Sequence, residues 1–89
     1  MARLILSNGE EREINPSADK FSLEELQKIV GGYIEIIRID SERDMVINEE
    51  GKIDKLPYNA KATEIYQEVY NTIDFIVGDV LICNVSQIM

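Results

Sequence analysis

The sequence contains no histidine, no tryptophan and a single cysteine, Cys83, in eighty-nine residues. One cysteine forms no disulfide within the chain, and without histidine a zinc site of the usual type is excluded in practice. The same absence removes Ser-His and Cys-His nucleophile systems. Cys83 sits in the apolar run Val80-Leu81-Ile82-Cys83, with nothing basic beside it to lower its pKa, so it reads as a small core hydrophobe. Basic residues are also scarce: nine Lys and Arg against seventeen Asp and Glu give a formal charge of −8. Nucleic-acid binding needs a cationic surface, and an anionic membrane attracts the same residues, so both partners are disfavoured. No apolar run approaches the roughly 20 residues of a membrane span. The stretch Leu4-Ile5-Leu6 is far too short for a signal peptide, which places the expected site of action in the cytoplasm.

What is present fits one domain, residues 1–89. A chain of this size buries only about 60–65% of its unfolded surface. With a thin core and no staple, homo-oligomerisation is a reasonable expectation. Arg3–Leu6 reads as a strand, Ser7-Asn8-Gly9-Glu10 as an Asn-Gly turn, and Arg12-Glu13-Ile14 as the returning strand. Ser22 and Glu25 have capping-box spacing, with Phe21 placed to staple against Leu26. Leu23, Leu26, Ile29 and Val30 then recur at helical spacing until Gly31-Gly32 stops the helix. Tyr33–Asp40 is strand-like, and the slip between Ile36 and Ile37 implies either a bulge or burial on both faces. Met45–Asn48 returns as the second arm of a hairpin, and a short extended piece runs through Ile53 and Leu56 to Pro57. Asn59 caps a second helix near Ala60–Tyr70 whose apolar side is Ala62, Ile65, Tyr66, Val69 and Ile73. Tyr66 and Tyr70, four apart, share a face of it. Gly78 leads into a last strand, Val80–Val85. The expectation is an α+β fold with two helices packed on a mostly antiparallel sheet of four to five strands.

Chemistry is hard to find. No carboxylate pair is singled out by spacing, and Gly31-Gly32 follows a helix where a phosphate loop would precede one. The string Asn48-Glu49-Glu50-Gly51-Lys52 lacks the alternating ligands of a calcium loop and reads as a turn with solvated charges. No enzyme activity, cofactor or metal is expected.

In order along the chain stand Leu26-Gln27, Val30-Gly31-Gly32 with Ile34-Glu35, Val46 through Lys52, Leu56-Pro57 with Asn59 and Ala62-Thr63, and Gly78-Asp79-Val80-Leu81. This ordered set resembles a family of small phage and mobile-element proteins, domain of unknown function thirty-eight forty-six. The family has no assigned enzymatic activity, so the resemblance points to no reaction, and it implies a bacterial host. Small accessory proteins in that setting often counter host immunity. The leading expectation is therefore an anti-defence inhibitor, anti-CRISPR-like, acting on a host protein with a basic surface. Its acidic contact residues would be Glu35, Asp40, Glu42, Asp44, Glu49, Glu50 and Asp54. The alternative is a sponge for a nucleotide immune signal, built from Gly31, Gly32, Arg38, Asn48, Lys52, Tyr58 and Asn59.

Overall fold

A computed structural model describes residues 2–89. The elements follow as β1 (Ala2–Ile5), β2 (Glu11–Ile14), α1 (Leu23–Val30), β3 (Ile34–Arg38), β4 (Arg43–Asn48), α2 (Ala60–Tyr70) and β5 (Val80–Asn84), then a 3-10 turn over Val85–Gln87. All strand pairs are antiparallel, and their order is β2-β1-β5-β4-β3. The last strand in sequence is thus the central one in space. That position explains its composition: Val80, Leu81, Ile82 and Cys83 are all buried, as a strand covered on both faces requires.

The two helices cover opposite faces. Leu81 and Cys83 join Val46, Ala2, Phe21, Leu26 and Val30 in one cluster, beneath α1. Val80 and Ile82 join Ile5, Met45, Ile76 and Ala62 in the other, beneath α2. Side chains alternate across a strand, so β4 divides in the same way, Val46 to one cluster and Met45 to the other.

The start of α1 follows the capping rule. Ser22 Oγ accepts the Glu25 N–H, and the Glu25 carboxylate accepts the Ser22 N–H in return. These backbone donors, with that of Ser17, hold the Glu25 carboxyl below its usual range. Gly31 ends the helix in the left-handed conformation, at φ 81°. Phe21 and Leu26 share one cluster, as a staple would have them.

Three expectations change. The β3–β4 register is unbroken from Ile34↔Asn48 to Arg38↔Asp44, so no bulge separates Ile36 from Ile37. Ile37 packs toward the α2 cluster, while Ile36 faces the α1 side beyond the helix and stays 45% exposed. The extended piece through Ile53 and Leu56 is instead a run of turns. Finally, α2 stops at Tyr70 because Asn71 adopts the left-handed cap (φ 50°, ψ 50°), which throws Ile73 out of helical phase and into solvent at 98% exposure. Val69 is exposed as well, so the buried side of α2 is narrower than its apolar spacing implies. Among the described residues no helix is long and apolar enough to cross a membrane.

Candidate partner-binding site

Two loops, 49–57 and 71–79, cross beside the β3–β4 end of the sheet. Asn48 closes the first: its amide nitrogen donates to Val30 O (3.1 Å), and its Oδ1 accepts the Glu50 N–H (2.8 Å). Gly51 lets the chain lie against its neighbour, since a Cβ there would meet Val77 Cγ2 at 2.9 Å. The Asn48–Lys52 string is therefore partly structural, with Asn48 and Gly51 committed to the turn. Glu49, Glu50 and Lys52 remain on the surface.

Asn59 locks both loops to the sheet. Its Oδ1 caps α2 through the Ala62 N–H (3.0 Å), while its amide nitrogen donates to Ile5 O (3.1 Å) and Gly78 O (2.9 Å). The Thr63 hydroxyl bonds both the N–H and the carbonyl of Ile76. A buried residue that satisfies three partners at once holds its surroundings still.

On this frame the loops present apolar surface. Lys52 pairs with Asp74 and sits over the Phe75 ring at 4.4 Å, and Phe75 in turn meets Tyr58 with ring centroids 6.1 Å apart. Ile53 is 78% exposed. The Lys52 ammonium hydrogen-bonded to Asp74 holds that carboxyl below its ordinary value. Between these side chains and β3 lies a cleft of about 140 Å³, lined among others by Glu35, Ile37, Ile47, Ile53 and Phe75. The sequence reading missed Ile53, Phe75 and Ile73 as surface residues. Asn71-Thr72 after the helix was the available signal, because both residues favour turns.

The predicted acidic residues do not form one surface. Their hairpin lies at the margin of the sheet rather than its centre, and β3 separates them into two groups about 17 Å apart. At the turn end Asp44 is only 5% exposed and paired with Arg38 at 2.7 Å, so it presents nothing to a partner. Asp40 accepts the Glu42 and Arg43 N–H groups and pairs with Arg43, which keeps its carboxyl below the usual range and makes it a turn-former. Glu42 remains exposed there, its neighbours electrically balanced. At the other end Glu49, Glu50 and Asp54 are exposed, as is Glu35 on β3, and none of the four has an ion pair among the described residues.

The alternative ligand residues scatter likewise. Gly31 is a helix cap, and Gly32 lies where a Cβ would come within 3.0 Å of Asn48 Nδ2. Asn48 and Asn59 spend their amides on backbone, Arg38 is tied to Asp44 and Lys52 to Asp74. Tyr58 alone of the set is free, as an exposed ring. Cys83 is buried, and desolvation, aided by the Asp44 charge, pushes its thiol up to about 11. It is inert at neutral pH. Among the described residues no group of three or more Cys, Asp or Glu side chains is arranged to hold a metal ion.

The geometry defines a class first: a small α+β domain with helices on both faces of an antiparallel sheet. The family model described as Domain of unknown function (DUF3846) matches residues 1–87, and the chain belongs to that family. No curated protein and no solved structure matches it.

Proposed function

We propose that this chain is a non-enzymatic binding protein that takes a basic protein partner at the crossing loops and the adjoining β3 margin. Within a phage or mobile element, such binding would serve to inhibit a host defence or nucleic-acid-handling protein. The observation that carries the reading is an exposed apolar cluster, Ile53, Phe75 and Tyr58, beside Glu35 and Glu49, with Glu50 and Asp54 around the loop, four carboxylates without an ion pair among the described residues. Aromatic anchors surrounded by polar groups are the composition of binding hot spots. The free carboxylates would steer a cationic partner in a salt-dependent way.

A nucleotide sponge has less support. Pockets for such ligands span roughly 300–1,000 Å³, while the cleft offers about 140 Å³ and its one cation is committed to Asp74. The groove beside Ile65 and Ile82 is roomier, about 410 Å³, but its Arg3 and Arg43 are paired with Glu11 and Asp40.

The test is capture of partners from host lysate by three proteins: the parent, an Ile53→Asp/Ile73→Asp variant, and a Glu11→Lys variant on the opposite margin. Both isoleucines and Glu11 are exposed, so none of the substitutions enters the core, and circular dichroism of each variant checks its fold. A protein retained by the parent and by Glu11→Lys, but lost with the loop variant, is expected. Capture indifferent to the loop variant, or a co-purifying mass of a few hundred daltons and no protein, overturns the proposal.

A further inference from the structure

The outer margin of β3 carries backbone groups that nothing among the described residues uses. In an antiparallel pair, alternate residues of an edge strand bond inward and the rest point away. The Glu49 N–H donates to Tyr33 O and the Ile39 N–H to Arg43 O, both at 2.9 Å, which sets the phase. Tyr33, Glu35, Ile37 and Ile39 bond toward β4, so Ile34, Ile36 and Arg38 direct their N–H and C=O groups outward. The Arg38 carbonyl is already taken, by the Tyr70 hydroxyl. Ile34 and Ile36 keep both groups without a partner among the described residues. Four backbone bonding groups thus stand in a row on an apolar edge.

We propose that this edge receives an extended, basic segment of a protein partner by strand addition. The inference rests on the protein-binding reading above and names the chemistry of the partner. An added strand aligns its side chains face by face with those of β3. On one face its residues meet Ile34 and Ile36, so apolar side chains fit. On the other they meet Glu35, with Glu49 beyond the strand end in the same cleft, and neither acid has an ion pair among the described residues. Lysine or arginine belongs there. The partner's pattern is therefore alternating apolar and basic.

A second copy of this chain fits less well. The symmetric antiparallel register that uses only the free groups pairs Ile34 with Ile36 of the second copy. It also sets Glu35 directly opposite its own equivalent, and like charges at that spacing repel.

The experiment uses the full chain, nitrogen-labelled, titrated with capped heptapeptides and followed by amide shifts and hydrogen exchange. The probes are an alternating valine–lysine peptide, a valine–glutamate peptide, and the valine–lysine peptide with alternate backbone nitrogens methylated. The lysine peptide is expected to slow exchange at the Ile34 and Ile36 amides at least about tenfold. The glutamate and methylated peptides are each expected to bind about tenfold or more weakly. Glu35→Lys removes the preference for the basic peptide. Ile36→Pro deletes an outward N–H without breaking a ladder bond, as an edge strand tolerates, and abolishes binding. Equal binding of the methylated peptide, protection confined to the loops, slowed exchange at Ile34 and Ile36 on concentrating the protein alone, or no binding at millimolar peptide each overturns strand addition. The lysate capture above reads the loop patch independently, so it can succeed while this inference fails.

Discussion

Strand β2 reads Glu11-Arg12-Glu13-Ile14, whereas β3, at the other margin of the same sheet, reads Ile34-Glu35-Ile36-Ile37-Arg38. On β2 all three charged side chains are exposed, and two of them are paired, Arg12 with Glu10 at 2.7 Å and Glu11 with Arg3 at 3.5 Å. Dense charge on an edge is how a sheet prevents unwanted pairing. On β3 the outward groups of Ile34 and Ile36 are bare, and only the Arg38 end is closed, by Tyr70. The difference teaches that the open margin is a feature to be explained, since the same chain shows how it would have been shut.

The comparison presupposes a scaffold that holds both margins, and the largest effect is expected where that scaffold is pinned. Asn59→Asp keeps the helix cap, for which the two residues are nearly equivalent. It also sets a carboxylate oxygen against the carbonyls of Ile5 and Gly78, where the amide now donates. Stability should fall by about 3 kcal/mol, a drop of roughly 10–20 °C in Tm by calorimetry. A neutral outcome would show that the cap, not the bridge, is what matters at this site.

Asn48→Ala breaks one margin only. It removes the bonds to Val30 O and the Glu50 N–H and should cost about 1–3 kcal/mol. Hydrogen exchange should accelerate in β3 and the end of α1, while the β1–β2 amides keep their protection.

The two asparagines also mark how far the sequence could be read. Ser22 with Glu25, Asn8-Gly9 and Gly31 are local signals, and the elements they bound appear where expected. Asn59 was legible as a cap from its place before Ala60, but its reach to Ile5, fifty-four positions away, was not. Strand order is a long-range property too, and the hairpin that carries most of the acids lies at the margin, with β3 as its outer strand. The acidic residues were counted correctly and grouped wrongly, because charge density along a chain says nothing about which arginine each carboxylate meets. Asp44 shows this plainly: it is paired with Arg38 and buried. The apolar loop surface was hidden by a phase assumption. Ile73 continues the helical spacing on paper, and only the left-handed Asn71 removes it from the helix.

Opening the guarded margin is the next test. Glu11→Val with Glu13→Val gives β2 the composition of an open edge, and the phase set by the Leu6 N–H to Glu10 O bond leaves the backbone groups of both positions outward. Self-association measured by sedimentation should rise at least about tenfold over the parent. If the variant stays as dispersed as the parent, charge is not what guards β2, and the contrast between the margins loses its meaning.

Acid should weaken both flanks through the same sign of linkage. Glu10 beside β2 is held below its ordinary value by the hydrogen-bonded Arg12, and Asp74 beside β3 by Lys52. A carboxylate whose folded pKa is depressed adds stability above its unfolded value, here 4.5 for Glu10 and 3.8 for Asp74. That contribution is lost as pH falls through the lower folded value. Both groups are solvent-exposed, so the effects are small. Asp74→Asn should flatten the Tm profile below pH 4 while leaving the Glu10 contribution in place. An unchanged profile would mean that the Lys52 contact does not persist in solution.

The smallest expected effect falls at the one closed position of the open margin. Tyr70 packs against Tyr66, the rings tilted by 42° with centroids 5.2 Å apart, and donates its hydroxyl to Arg38 O. Tyr70→Phe keeps the ring and removes the donor, and because the carbonyl is near solvent the loss in stability should be under about 1 kcal/mol. Its informative consequence lies elsewhere. Freeing the Arg38 carbonyl extends the row of outward groups past Ile36, so a strand pairing with β3 gains one acceptor and should bind about two- to fivefold more tightly, an effect of one modest hydrogen bond. Titration of Tyr70→Phe with the valine–lysine peptide reads this directly, with protection expected to spread from Ile36 to the Arg38 amide. Unchanged affinity with unchanged protection would confine the usable edge to Ile34 and Ile36. Tyr70 would then be a packing residue whose hydroxyl found the nearest acceptor, and the closing of that end would owe nothing to control of the edge.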